Sequence, residues 1–148
     1  MIVAVNTDRE RTTVYRFFRD VVGRGEIDLL DQLAVADYED HVALPGQGDG
    51  RDGLKRRIHV IRAAFTPSQV LHDVVVDGDL VAVRWTLTGV HAGPFLGIAA
   101  TNRPVRFDGI DLYRMRDGQM AAHWNVVDML SFYQQVTGTT NKTEADGV

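Results

Sequence analysis

The sequence predicts an α+β fold in which a curved antiparallel or mixed sheet wraps around N-terminal helices. Three observations lead there. Apolar residues recur at helical spacing as far as Phe65 and at a spacing of two beyond it. The strand-like stretches follow one another without intervening helices, which favours a meander over alternating βαβ units. A chain of 148 residues, 45% hydrophobic and 24% charged, is large enough for one domain with a real core.

The elements follow in order. Thr7 or Asp8 can cap a first helix running to about Val22, with Val14, Phe17, Phe18, Val21 and Val22 as its apolar face and Gly23 and Gly25 as its stop. Ile27, Leu29, Leu30 and Leu33 form one stripe of a short second helix between Glu26 and Ala34, and residues 37–42 read as a strand entering a loop. The loop PGQGDGRDG feeds a third helix from about Leu54 to Phe65. Its buried stripe is Leu54, Ile58, Ile61 and Phe65, with Lys55, Arg56, Arg57 and Arg62 largely outward, and Thr66-Pro67-Ser68 ends it. Strands are expected near Val70 to Val76, Leu80 to Gly89, Pro104 to Met115 and Gln119 to Val127. A last helical turn follows Leu130, and the small polar residues from Thr137 onward read as a flexible tail, so that the single domain occupies residues 1–136.

Composition narrows the function. A net charge of -4 offers no basic footprint for nucleic acid. The absence of cysteine removes disulfides, thiolate nucleophiles and cysteine-zinc sites. No apolar run reaches the length of a membrane span, and the opening MIVAV is too short for a signal-peptide core, so a cytoplasmic protein without membrane partners is expected. The histidines show no metal-ligand spacing on a shared element. Residues 48–53, GDGRDG, match GxGxxG literally, but the helix they open leads into a meander and not a parallel crossover strand, so they read as a flexible loop over a pocket.

The most informative stretch is GIDLYRMRDGQMAAHWNVVD, residues 109–128, because Asp-Gly between two alternating runs signals a hairpin. A two-residue turn would pair Arg116 with Gln119 and Leu112 with His123. A three-residue loop with a left-handed Gly118 would pair Asp111 with His123 and Gly109 with Asn125. The second register sorts apolar from polar, with Ile110, Leu112, Met120, Ala122, Trp124 and Val126 on one face and Gly109, Asp111, His123 and Asn125 on the other, and is the one expected. A carboxylate beside an imidazole is a proton-transfer unit, and an amide beside both can donate to a carbonyl.

The run from Asp77 to Leu130 carries TGVHAGPFLGIAAT, then the DG hairpin, then HW followed four residues later by Asp128. In these motifs the chain, from roughly Tyr38 to Gln135, resembles the SnoaL-like polyketide cyclases, which share a cone-shaped α+β barrel with nuclear transport factor 2. The resemblance implies a cofactor-independent enzyme of polyketide biosynthesis, closing rings by an aldol-type reaction on a small-molecule substrate. Relatives implicated in hydroxylation supply the alternative, and the same fold also serves non-catalytic binding. In the family pattern the catalytic aspartate lies two residues after the hairpin histidine, where this chain has Asn125, and a histidine stands at the position of Asp111. The carboxylate has thus moved to the neighbouring strand.

Asp111 and His123 are therefore the expected acid/base pair, with Asn125 and His41 polarising a carbonyl. Tyr38, His91 and Trp85 join them as candidate substrate-binding residues. Plainer readings stand beside these: an exposed loop for His41, a tight loop needing only shape for His91, core packing for Trp85 and Trp124, and a helix cap for Asp128. Arg106-Phe107-Asp108 resembles the arginine-x-aspartate of limonene-type epoxide hydrolases, but alternation puts Asp108 on the back face. That back face, apolar through Ile110, Leu112, Trp124 and Val126, suggests a homodimer interface.

Overall fold

A computed structural model of the chain describes residues 7–66 and 68–139. The opening MIVAV segment, Pro67 of the expected helix stop, and the tail from residue 140 lie outside the described residues. Five strands form one sheet in the order β1-β5-β4-β3-β2. They are β1 (Ala34–Asp40), β2 (Ser68–Asp77), β3 (Leu80–Val90), β4 (Pro104–Arg116) and β5 (Gln119–Val127). Strands β2 to β5 make the antiparallel meander that alternation predicts. β1 adds to β5 in parallel, which makes the sheet mixed and sets Asp40 opposite His123.

The first helix, α1 (Thr7–Arg16), runs on as a π-helical stretch over Phe17–Gly23. Phe17, Phe18, Val21 and Val22 all lie on the buried side of this stretch. A single 3-10 turn, Ile27–Leu29, and the four-residue α2 (Leu30–Leu33) lead straight into β1. That strand starts earlier than the sequence suggests because Ala34 and Val35 are already core residues. The third helix, α3 (Gly50–Ala64), also starts earlier, so four of the six residues of GDGRDG are its first turn and not a flexible loop. Gly53 lies so close to the carbonyl of Gly48 that a Cβ would not fit, which assigns these glycines to helix–loop packing.

The last helix, α4 (Met129–Thr137), is capped by Asp128, whose Oδ1 accepts from the Ser131 N–H at 3.1 Å, and closed by a left-handed Gly138. It drives Phe132 edge-on into Phe65, Phe95 and Phe107, sealing one end of the fold with an aromatic cluster. Among the described residues, no helix is long and apolar enough to cross a membrane.

The hairpin corrects the expected register. Asp117 and Gly118 both have positive φ, 50° and 77°, so the turn has two residues and pairs Arg116 with Gln119. Ala121 then enters β5 as a bulge, between the pairs Met115–Met120 and Arg114–Ala122. Asp111 therefore faces Asn125 across the ladder, and His123 faces Tyr113. The extra residue restores the parity that a plain two-residue turn would break, so Asp111, His123 and Asn125 still share the inner face. Met120, expected on the back face, precedes the bulge and is fully buried.

Candidate active site

The inner face of the sheet, the π-helical stretch and α3 enclose a cavity of about 230 Å³. Its walls are mostly aromatic and aliphatic, including Phe17, Phe18, Leu54, Ile58, Phe65 and Leu87. Into this apolar space the strands bring Tyr38, Asp111, Tyr113, His123 and Asn125, and α3 brings Arg57.

His123 is the hub. Its side chain is 4% exposed, and its ring stacks on Tyr113 with centroids 5.0 Å apart. Nδ1 lies 3.1 Å from Oδ1 of Asp40, and Nε2 lies 3.7 Å from Oδ1 of Asp111. Asp40 is in turn held from three sides: the Gln47 amide donates to Oδ2 at 2.9 Å, Arg57 Nη1 donates to it at 3.2 Å, and the Val42 N–H donates to Oδ1 at 3.1 Å. Asp111 accepts from the Tyr113 hydroxyl at 2.9 Å through Oδ2. Its Oδ1 and the facing His123 Nε2 have no hydrogen-bond partner within bonding distance.

This charge arrangement sets protonation. Burial pulls the His123 imidazole down, but the close carboxylates of Asp111 and Asp40 outweigh it and raise its pKa above the ordinary 6.5. Burial opposes ionisation of Asp40 too, yet His123, Arg57 and Gln47 together hold it well below the usual carboxylate range. Burial, reinforced by nearby carboxylates, pushes Tyr38 and Tyr113 well above 10, so both are neutral hydroxyls. The site thus favours the protonated form of an imidazole whose Nδ1 is anchored on Asp40 and whose Nε2 is unengaged, next to an unengaged oxygen of Asp111. Among the described residues, no group of three or more His, Cys, Asp and Glu side chains is placed to hold a metal ion.

With this geometry in view, comparison with known proteins is specific. The family model for SnoaL-like polyketide cyclases matches residues 12–136. The chain belongs to this family. Among solved structures, this SnoaL-like protein is similar to TsrD from Streptomyces laurentii, with 27% identity, 89% of this chain and 97% of that one covered, and a TM-score of 0.81. IdmH from Streptomyces antibioticus, described as a candidate polyketide cyclase, has 25% identity over 86% of this chain and 98% of its own, with a TM-score of 0.73. AclR from Streptomyces galilaeus, described as a candidate hydroxylase, shares 16% identity over 95% and 90% of the two chains at a TM-score of 0.78 and shows the common fold. No curated protein matches the chain. The architecture is that of the nuclear transport factor 2-like group, and the family assignment supports an enzyme with a cyclase-type role.

The structure brings together Asp111, His123, Asn125, Tyr38 and Trp85 around the cavity of this SnoaL-like protein. Two expected residues fall elsewhere. His41 lies past the end of β1, flat against Trp124 on the outer face with centroids 4.5 Å apart, because strand parity turns it away from Asp40. His91 is fully buried between Phe65 and Phe132, with Nδ1 3.0 Å from the Thr101 hydroxyl, and serves the aromatic seal. Asp108 is on the outer face, where it accepts from Thr86. Three residues of the site escape sequence reasoning: Asp40, Arg57 and Tyr113. Asp40 meets His123 only through the parallel β1–β5 pairing, while Arg57, expected outward with its basic neighbours, turns in to a carboxylate that no local pattern announces.

Proposed function

We propose that the protein closes a ring on a polyketide intermediate by an aldol-type reaction, with Asp111 as base and His123 as acid. The observation that carries this reading is the pair of unengaged atoms, Asp111 Oδ1 and His123 Nε2, 3.7 Å apart in an apolar cavity. Asp111 Oδ1 takes the proton on a carbon beside a ketone. That carbon attacks a second carbonyl of the same chain, and the His123 Nε2–H protonates the carbonyl oxygen as the carbon–carbon bond forms. The proton left on Asp111 then passes to His123, so both groups are restored and no electron leaves the substrate. Asn125, paired with Asp111 across the ladder, donates its amide to the enolate oxygen. Asp40 and Arg57 position the imidazolium without touching the substrate.

The test is turnover of a linear poly-β-ketone ester, followed by mass and by ultraviolet absorbance of the ring product. Asp111→Asn and His123→Gln should each abolish most of it in a folded protein. Undiminished turnover in either would remove the assignment. Hydroxylation is the second reading, motivated by Asn125 at the family's aspartate position, and oxygen uptake with the same substrate separates the two. The outer sheet face exposes Val70, Val75, Ile110 and Val126, and its occupant in this reading is a second copy of the chain.

A further inference from the structure

We infer that Trp85 is a hydrogen-bond donor to the substrate's reacting carbonyl and that Gly109 is the residue that makes room for it. The inference rests on the acid/base reading above and adds a second donor to Asn125.

Trp85 on β3 pairs with Gly109 on β4, two residues before Asp111 on the same face. A Cβ at position 109 would collide with Cζ2, Cε2 and Cη2 of the indole, so the ring edge that bears Nε1 lies directly over the glycine. The indole therefore occupies the place next to the Asp111–Asn125 row, which a side chain at 109 would otherwise fill. Trp85 is 5% exposed and lines the cavity, yet its Nε1 has no acceptor. Indole nitrogen can only donate, and burying it unpaired costs stability. Packing explains the ring, which meets Phe107 edge-on at 6.2 Å, but not the N–H, since phenylalanine would pack as well. An acceptor brought by the ligand accounts for it. A ketone whose α-carbon faces Asp111 presents its oxygen to this same wall, between the indole N–H and the Asn125 amide. As negative charge grows on that oxygen during proton removal, both hydrogen bonds strengthen.

The probe is phenylacetone, which has one ketone on an apolar body, with propylbenzene as its carbonyl-free counterpart. The protein has two tryptophans, so its two indole N–H resonances are assigned with Trp85→Phe and Trp124→Phe. Phenylacetone should move the Trp85 signal downfield while propylbenzene does not. Trp85→Phe should weaken phenylacetone binding by roughly 3- to 10-fold more than it changes propylbenzene binding, the range of one neutral hydrogen bond. With a turned-over substrate the same variant should lower kcat by roughly 10- to 100-fold and raise KM by no more than the loss in phenylacetone affinity. Gly109→Ala, which displaces the ring, should abolish the downfield shift. An indole signal that ignores phenylacetone, or wild-type phenylacetone affinity in Trp85→Phe, overturns the inference. Exchange of the α-protons of phenylacetone with D2O reports separately on Asp111 and His123. A shifted indole without catalysed exchange would keep the Trp85 site and remove the acid/base reading.

Discussion

Replacing Asp40 by asparagine isolates one of the two carboxylate charges, with that of Asp111, that raise the pKa of His123. Asp40 Oδ1 is 3.1 Å from His123 Nδ1, and both side chains are nearly inaccessible, at 5% and 4%. At an effective dielectric constant of about 20, two unit charges at that distance attract by about 5 kcal/mol. Relaxation around the neutral amide, and the hydrogen bond its oxygen can still accept from Nδ1, offset roughly half of this. The expected result is a fall of about 2 in the pH at which the ring deprotonates. In the wild type His123 should titrate above 6.5, and in Asp40→Asn lower than in the wild type. The assay is an NMR titration of the His123 Cε1 proton, assigned with His123→Gln. Stability changes in a defined sense. Because the folded-state pKa of His123 is raised, its contribution is full below about 6.5 and fades as pH rises through the folded value. Because that of Asp40 is lowered, its contribution is full above about 4 and fades as pH falls towards the folded value. Asp40→Asn should flatten both flanks of the urea stability profile, and the alkaline limb of kcat/KM should move down with the titration. A His123 titration that is unchanged by the substitution would refute the reasoning.

The remaining predictions follow from the site, the back face and the seal. Asp111→Asn and His123→Gln should each cost about 10²- to 10⁴-fold in kcat, the usual range for one positioned proton-transfer group, with circular dichroism confirming the fold. Ile110→Lys with Val126→Lys puts charge on a sheet face where these residues are 52% and 78% exposed; light scattering after gel filtration should report a dimer for the unaltered chain and a monomer for the variant, and a monomer for both would remove the dimer reading. Phe132→Ala removes the ring that meets Phe65, Phe95 and Phe107 and should lower urea stability by about 3–5 kcal/mol without changing the slope of the transition.

Much of the fold is legible because its signals are local. The switch from helical to strand periodicity after Phe65, the DG turn and the Asp128 cap each lie within a few residues of their partners. Facing relations in the stem of the hairpin are also legible, since alternation identifies which residues share a side, whereas Met120 at the tip lies on the face opposite to the expected one. The opposing pairs are not legible, because a bulge at Ala121 leaves no mark in the hydrophobic pattern: alanine suits either face. The half of the site contributed by Asp40 and Arg57 depends on a parallel contact spanning more than eighty residues. Nothing in the run KRR distinguishes the one cation that turns inward. The π-helical stretch escaped for a related reason, since two phenylalanines followed by two valines fit an α-helix as readily.

The bulge at Ala121 has a mechanical consequence. It divides the hairpin into a tip and a stem of opposite parity. The tip is fastened to the first helix, where the Thr13 hydroxyl donates to the Gly118 carbonyl at 2.7 Å and Met115 and Met120 are buried. The stem carries Asp111, His123 and Asn125. Repacking under the tip is thereby insulated from the reacting groups by one unpaired residue, much as a bearing separates a shaft from its housing. A change in how the tip is anchored to the first helix therefore leaves the acid and the imidazole turned into the cavity as long as the bulge stays in place.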